Sequence, residues 1–110
     1  MLRSISEPDW KVFRRLHPIA IERYYDRLME EIERTVVDRS KPSCDRYEDL
    51  HDLIRKRDKE MSQAFDNFRR STALEQTAFI YALGLWTDEE FAQFSAETRN
   101  IAIFLTKMGE

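Results

Sequence analysis

The chain has 110 residues, 35% of them charged, with 18 basic against 21 acidic side chains and a formal charge of −3. That length supports one hydrophobic core, and the charge balance gives solubility without a general attraction to nucleic acid or anionic membrane. Two glycines and three prolines disfavour a β-fold built on tight turns, and a single cysteine excludes an internal disulfide, which fits a reducing cytoplasm.

The N-terminus has no signal-peptide pattern, because Arg3, Glu7 and Asp9 interrupt any apolar region. Ser6 is placed to cap a first short helix over 7–16, with Pro8 in the tolerant first turn and Asp9 at the third helical position. Ile5 and Trp10 have the spacing of a hydrophobic staple, and Trp10, Phe13 and Leu16 form one apolar face. His17-Pro18 predicts a break, since the residue before a proline is pushed out of the α region. A second helix follows over 18–37, with Ile21, Tyr25, Leu28, Ile32 and Val36 recurring at helical spacing. Its other side is charged: Glu30, Glu31 and Glu33 read as a solvated face, with Arg27–Glu31 and Glu30–Arg34 at ion-pair spacing.

Residues 38–43 (DRSKPS) form the clearest loop, and Ser43 is the expected cap of a third helix over 44–70. Tyr47, Leu50, Ile54, Met61, Ala64 and Phe68 follow a 3.5-residue repeat, and Arg57 occupies the one off-type seam position. Such a helix is about 40 Å long, whereas a compact domain of this size has a radius of gyration of about 13 Å. It must therefore bend, or project beyond the body and pair with something.

Residues 78–86 (AFIYALGLW) carry no charge or side-chain amide. Thr72 and Glu75 have the form of a capping box, and Gly84 suits a left-handed close with Leu85 folding onto Ile80, which predicts a buried helix over 73–83. A membrane span needs about 20 apolar residues, so none is expected. Thr87 and Glu90 form a second capping box, with Trp86 and Phe91 at staple spacing, and open a fifth helix over 88–108. Phe91, Phe94, Ile101, Leu105 and Met108 lie on one stripe of it. The expected architecture is thus a single all-α domain over 1–110: an antiparallel bundle around a buried central helix, with helix one as a lid.

The chemistry-bearing residues offer little. Glu48-x-x-His51 has the ligand spacing of di-iron bundles, but such sites need a second pair and two more glutamates, and the only other histidine is His17. His51-Asp52 resembles the metal dyad of HD-type phosphohydrolases, again without the histidines to complete it. Cys44 falls at the expected start of helix three, where a thiol pKa is lowered, yet no general base accompanies it. No glycine-rich phosphate loop, serine nucleophile elbow or zinc spacing is present. No catalytic, cofactor or metal residue is assigned.

Asp9-Trp10-Lys11-x-Phe13-Arg14, Glu22-Arg23-Tyr24-x-x-Arg27-Leu28, Gly84-Leu85-x-Thr87-x-Glu89-Glu90 and Phe94-Ser95-x-Glu97-Thr98 follow one another along most of the chain. In this order they resemble a group of small, all-helical, uncharacterised bacterial proteins that open on a similar segment and end in a similar acidic helix. The resemblance implies a bacterial cytosolic helical protein and carries over no activity or site residue. The functional expectation is a non-enzymatic module for protein–protein contact or homo-oligomerisation, with Trp10, Tyr24, Tyr47 and Trp86 as semi-exposed anchors. The alternative is a small nucleic-acid-associated regulator that meets phosphates through Arg55, Lys56, Arg57, Lys59, Arg69 and Arg70.

Overall fold

A computed structural model describes residues 4–109. The protein is an all-α bundle of α1 (Glu7–Val37), α2 (Ser43–Phe65), α3 (Arg70–Ala82), α4 (Asp88–Phe91) and α5 (Ala96–Met108). α3 is the buried helix at the centre, with Ala73, Leu74, Gln76, Thr77, Ala78 and Ile80 all inside. α5 and the C-terminal end of α2 pack on it, and the N-terminal half of α1 closes the other side.

Five boundaries differ from the sequence expectation. Helices one and two are a single helix, α1, that passes through Pro18. Pro18 and Arg14, whose carbonyl loses its helical donor, are both exposed, so water can take up the lost bond. Phe13, Leu16, His17 and Ala20 are buried around that point and hold the helix through it. The long helix three ends early, at Phe65, because Asn67 adopts the left-handed conformation (φ 58°) and Gln76 donates to the Asp66 carbonyl. Ser43 is the first helical residue of α2 and not its cap, its hydroxyl accepting from Arg46.

α3 then begins at Arg70, ahead of the expected cap, and the Thr72 hydroxyl donates backwards to the carbonyls of Asn67 and Arg69. Its far end is the expected Schellman close: Gly84 has φ 70°, Leu85 N–H bonds to Ile80 O at 3.1 Å and Gly84 N–H to Tyr81 O at 2.9 Å. The expected fifth helix is two. The Thr87–Glu90 capping box opens α4, which stops after one turn. Its staple is absent: Trp86 packs edge-on against Phe94, and Phe91 stacks on Tyr81.

The break before α5 is made by Asp9. Its carboxylate, 2% exposed, accepts from Ser95 N at 2.8 Å, Ser95 Oγ at 2.6 Å and Thr98 Oγ1 at 2.6 Å. A Ser95 amide held by Asp9 cannot serve the Phe91 carbonyl, so the helix cannot run through, and Ser95 becomes the cap of α5 with Thr98 N bonding to its Oγ. Arg23 and Arg27 make a second tie between α1 and the distal chain. Arg23 forks onto Glu90 and reaches Leu85 O, and Arg27 donates to the carbonyls of Leu83 and Gly84 at the C-terminal end of α3.

Two buried titratable groups contribute to the acid sensitivity. Burial pushes the Asp9 pKa up, but the hydrogen bonds from Ser95 and Thr98 outweigh it and hold the carboxyl below its ordinary value. His17 is packed against Phe13, Phe65 and Phe68, its Nε2 has no partner among the described residues, and burial holds its pKa below 6.5. Both shifts are downward, so both groups favour the folded state at high pH. The His17 contribution declines as pH falls through 6.5 toward its lower folded value, and the Asp9 contribution declines below about 4. Asp9→Ala should cost roughly 2–3 kcal/mol at pH 7, because it strands the Ser95 amide and two hydroxyls. In urea denaturation the difference from wild type should shrink below about pH 4, where wild type is losing the same interaction.

Candidate interaction surface

At 1.5 Å per residue α1 is about 46 Å long, close to the molecule's whole 51 Å long axis. The radius of gyration, 16.3 Å, exceeds the roughly 13 Å of a compact chain of this length. No described residue of α1 beyond Leu28 is buried, and the only buried residue of α2 is Ala64. From about Met29 the α1–α2 hairpin therefore leaves the body as an antiparallel arm in which each helix has only the other to pack on.

Polar contacts fix the register of the arm. The Tyr24 hydroxyl donates to Glu60 Oε1 at 2.6 Å, and Arg57 bonds Glu31 at 2.9 Å and Glu60 at 3.2 Å. Near the tip Arg46 reaches the Val36 carbonyl. The off-type seam residue Arg57 is thus the centre of a half-buried ion network, and burial together with the bond to Glu60 pushes the Tyr24 pKa well up. Glu31 therefore pairs across the hairpin, not with Arg27 along its own helix.

These contacts also define which faces remain open. Tyr24, Leu28, Glu31 and Thr35 turn toward α2, and Arg46, Leu53, Arg57 and Glu60 turn toward α1. One residue further along each helix is a rotation of about 100°, and those next residues are apolar except Asp58. On α1 they are Tyr25, Met29, Ile32 and Val36; on α2 they include Tyr47 and Ile54, joined by Leu50. The same rotation on two antiparallel helices carries both rows to one side of the hairpin. That side faces away from the body, and Met29 is 55% and Tyr47 69% exposed. The apolar residues expected on one helix face are therefore divided: Leu28 faces inward, while Tyr25 and Val36 face solvent.

Of the other expected anchors, Tyr24 and Trp86 are corrected to core residues. Tyr24 is buried in the hairpin, and Trp86 is buried with Nε1 donating to Thr77 O at 3.1 Å. Trp10 is half-buried between Phe13 and Phe68 with the Arg14 guanidinium over its ring. Of the four expected anchors, only Tyr47 is an exposed aromatic on the arm face. Ile32 and Ile54 were legible in sequence as members of helical repeats, Met29 was not, and the exposure of Met29 and Ile54 follows from where the body ends.

The six basic residues do not form one surface. Arg57 is turned into the hairpin, and Arg70 bonds Ile5 O and Glu7 at the N-terminus of α1. Arg55, which lies 3.6 Å from Asp52, is exposed on the outer side of α2 together with Lys56 and Lys59, while Arg69 precedes α3 in the turn. Glu48, His51 and Cys44 are exposed on α2, and among the described residues no group of three His, Cys, Asp or Glu is arranged to hold a metal. Nor is any described helix long and apolar enough to cross a membrane. An apolar hollow of about 580 Å³ lies between α3 and α5, lined by Phe79, Ala82, Leu105 and Thr106. Comparisons with protein-family models, curated proteins and solved structures gave no match.

Arg57→Met should destabilise the protein by roughly 1–2 kcal/mol, because it leaves Glu31 and Glu60 half-buried without their cation. Removing all three charges together should cost less than that single change, which a denaturation cycle over the variants would show.

Proposed function

We propose that the protein is a non-enzymatic helical module for protein–protein contact, and that the arm is its contact surface. The observation that supports this reading most is the row of large apolar side chains held on one open side of the hairpin: Tyr25, Met29, Val36, Tyr47 and Ile54. A two-helix hairpin covered on one side only keeps such a row in water at a free-energy cost of about 25 cal/mol per Å², and contiguous exposed apolar surface of this kind marks interaction sites. We also propose a bacterial cytoplasmic location, a reading supported by the single cysteine, Cys44, whose exposed thiol would stay reduced there.

The test is photo-crosslinking in cells with benzoylphenylalanine placed at Met29 or at Tyr47, and at Asn100 on the exposed side of α5 as a control. Discrete protein adducts are expected from the two arm positions and none from Asn100. Absence of adducts at both arm positions would contradict the reading.

A further inference from the structure

Beside each apolar row of the arm runs a third row, another residue further round. On α1 it is Glu22, Asp26, Glu30 and Glu33, following Ile21, Tyr25, Met29 and Ile32; all four are acidic and exposed. None of them makes an ion pair among the described residues. On α2 the corresponding row is Glu48, His51, Arg55, Lys59 and Ser62, all exposed, with Arg55 and Lys59 as its cations at the base of the arm and Glu48 near the tip. The open face is apolar along its centre, and the outer flanks that border it are acidic on α1 and basic on α2 at Arg55 and Lys59. Like charges at i, i+4 repel, so the acidic row is unfavourable in a lone chain and is relieved by any surface that brings cations to it.

Resting on the reading of the arm as a contact surface, we infer that its occupant is a second copy of this chain, joined about a two-fold axis parallel to the arm. Face-to-face packing of two identical hairpins has two symmetric solutions. An axis across the arm sets α1 on the second copy's α1 and brings acid against acid. An axis along the arm sets α1 beside the second copy's α2, so that the acidic edge of each chain meets the basic edge of the other and the centre becomes a four-helix core with antiparallel neighbours.

The levels agree with this. Within one hairpin Tyr24 stands level with Glu60 and Glu31 with Arg57. An axis parallel to the arm preserves heights, so Asp26 of one chain comes level with Lys59 of the other, and Glu30 with Arg55. Arg55 is free to turn, since its own contacts are exposed ones to Asp52 at 3.6 Å and the His51 ring. Asp58, the carboxylate in the apolar row of α2, marks the body end of the contact. The open face spans roughly 450 Å² per chain, about half of a standard interface, so the dimer is weak and concentration-dependent.

Sedimentation velocity of the full chain from about 1 µM to 500 µM, a range chosen for an interface of this size, tests the inference. The wild type is expected to pass from monomer to dimer, with Asp26→Lys plus Glu30→Lys weakening association roughly tenfold or more, and Arg55→Glu plus Lys59→Glu doing the same. All four changes in one chain recreate the complementarity with signs exchanged and are expected to restore association. Circular dichroism confirms that each variant folds. A wild-type monomer mass at every concentration, or a fourfold variant no better than the twofold ones, would overturn the inference. A monomer that still crosslinks to a different protein through Met29 or Tyr47 overturns self-association alone; a monomer with no crosslink overturns the contact-surface reading as well.

Discussion

The first helix is longer than the body that covers it, and the remaining features of the molecule follow from that mismatch. A helix of 31 residues cannot be enclosed by a chain of 110 that also has to build a core. The body accordingly gathers on its first 22 or so residues, up to Leu28, and everything beyond depends on α2 alone. Two helices cover only one face of each other. An open side on the arm is thus a geometric consequence of the lengths, and what distinguishes this chain is that the open side is apolar at its centre and charged at its edges.

The body end of α1 is fixed by polar contacts of large sequence separation. Asp9 takes the hydrogen-bond donors at the start of α5, and Arg23 and Arg27 take the carbonyls at the end of α3 together with Glu90. Each contact satisfies groups that a helix terminus leaves without partners, so one helix closes the ends of two others. The arm is held differently, by one half-buried network of Tyr24, Glu31, Arg57 and Glu60. Charged groups at a helix seam cost stability relative to apolar ones but allow a single register. A fixed register is what keeps the apolar rows of α1 and α2 side by side.

Much of this was legible in the residues. The all-α class, the buried helix read from its uncharged stretch, the Gly84 close and the Thr87 cap all rest on interactions among neighbours in sequence, and Arg57 was visible as an odd residue in a seam. What escaped was decided at a distance. Thr72 has a cap's spacing, yet α3 starts earlier because Asn67 and Gln76 end the preceding helix. Ser95 is an ordinary serine in an apparently continuous helix until Asp9, 86 residues away, takes its amide. Pro18 predicts a break that buried neighbours on both sides override. The exposure of Tyr25 and Val36 depends on where the body stops, which no local pattern encodes.

The most direct test of the account is hydrogen–deuterium exchange of the full chain at low and high concentration, read separately for the body and the arm. Helices that pack only on each other open more readily than a core does, so at low concentration amides over 30–37 and 44–54 should exchange well before those of α3. At high concentration a covered arm face should slow exchange in those two segments and leave α3 unchanged. Arm amides as protected as α3 at low concentration would show that the arm needs no partner. Arm exchange that does not change with concentration would show that no second copy covers it.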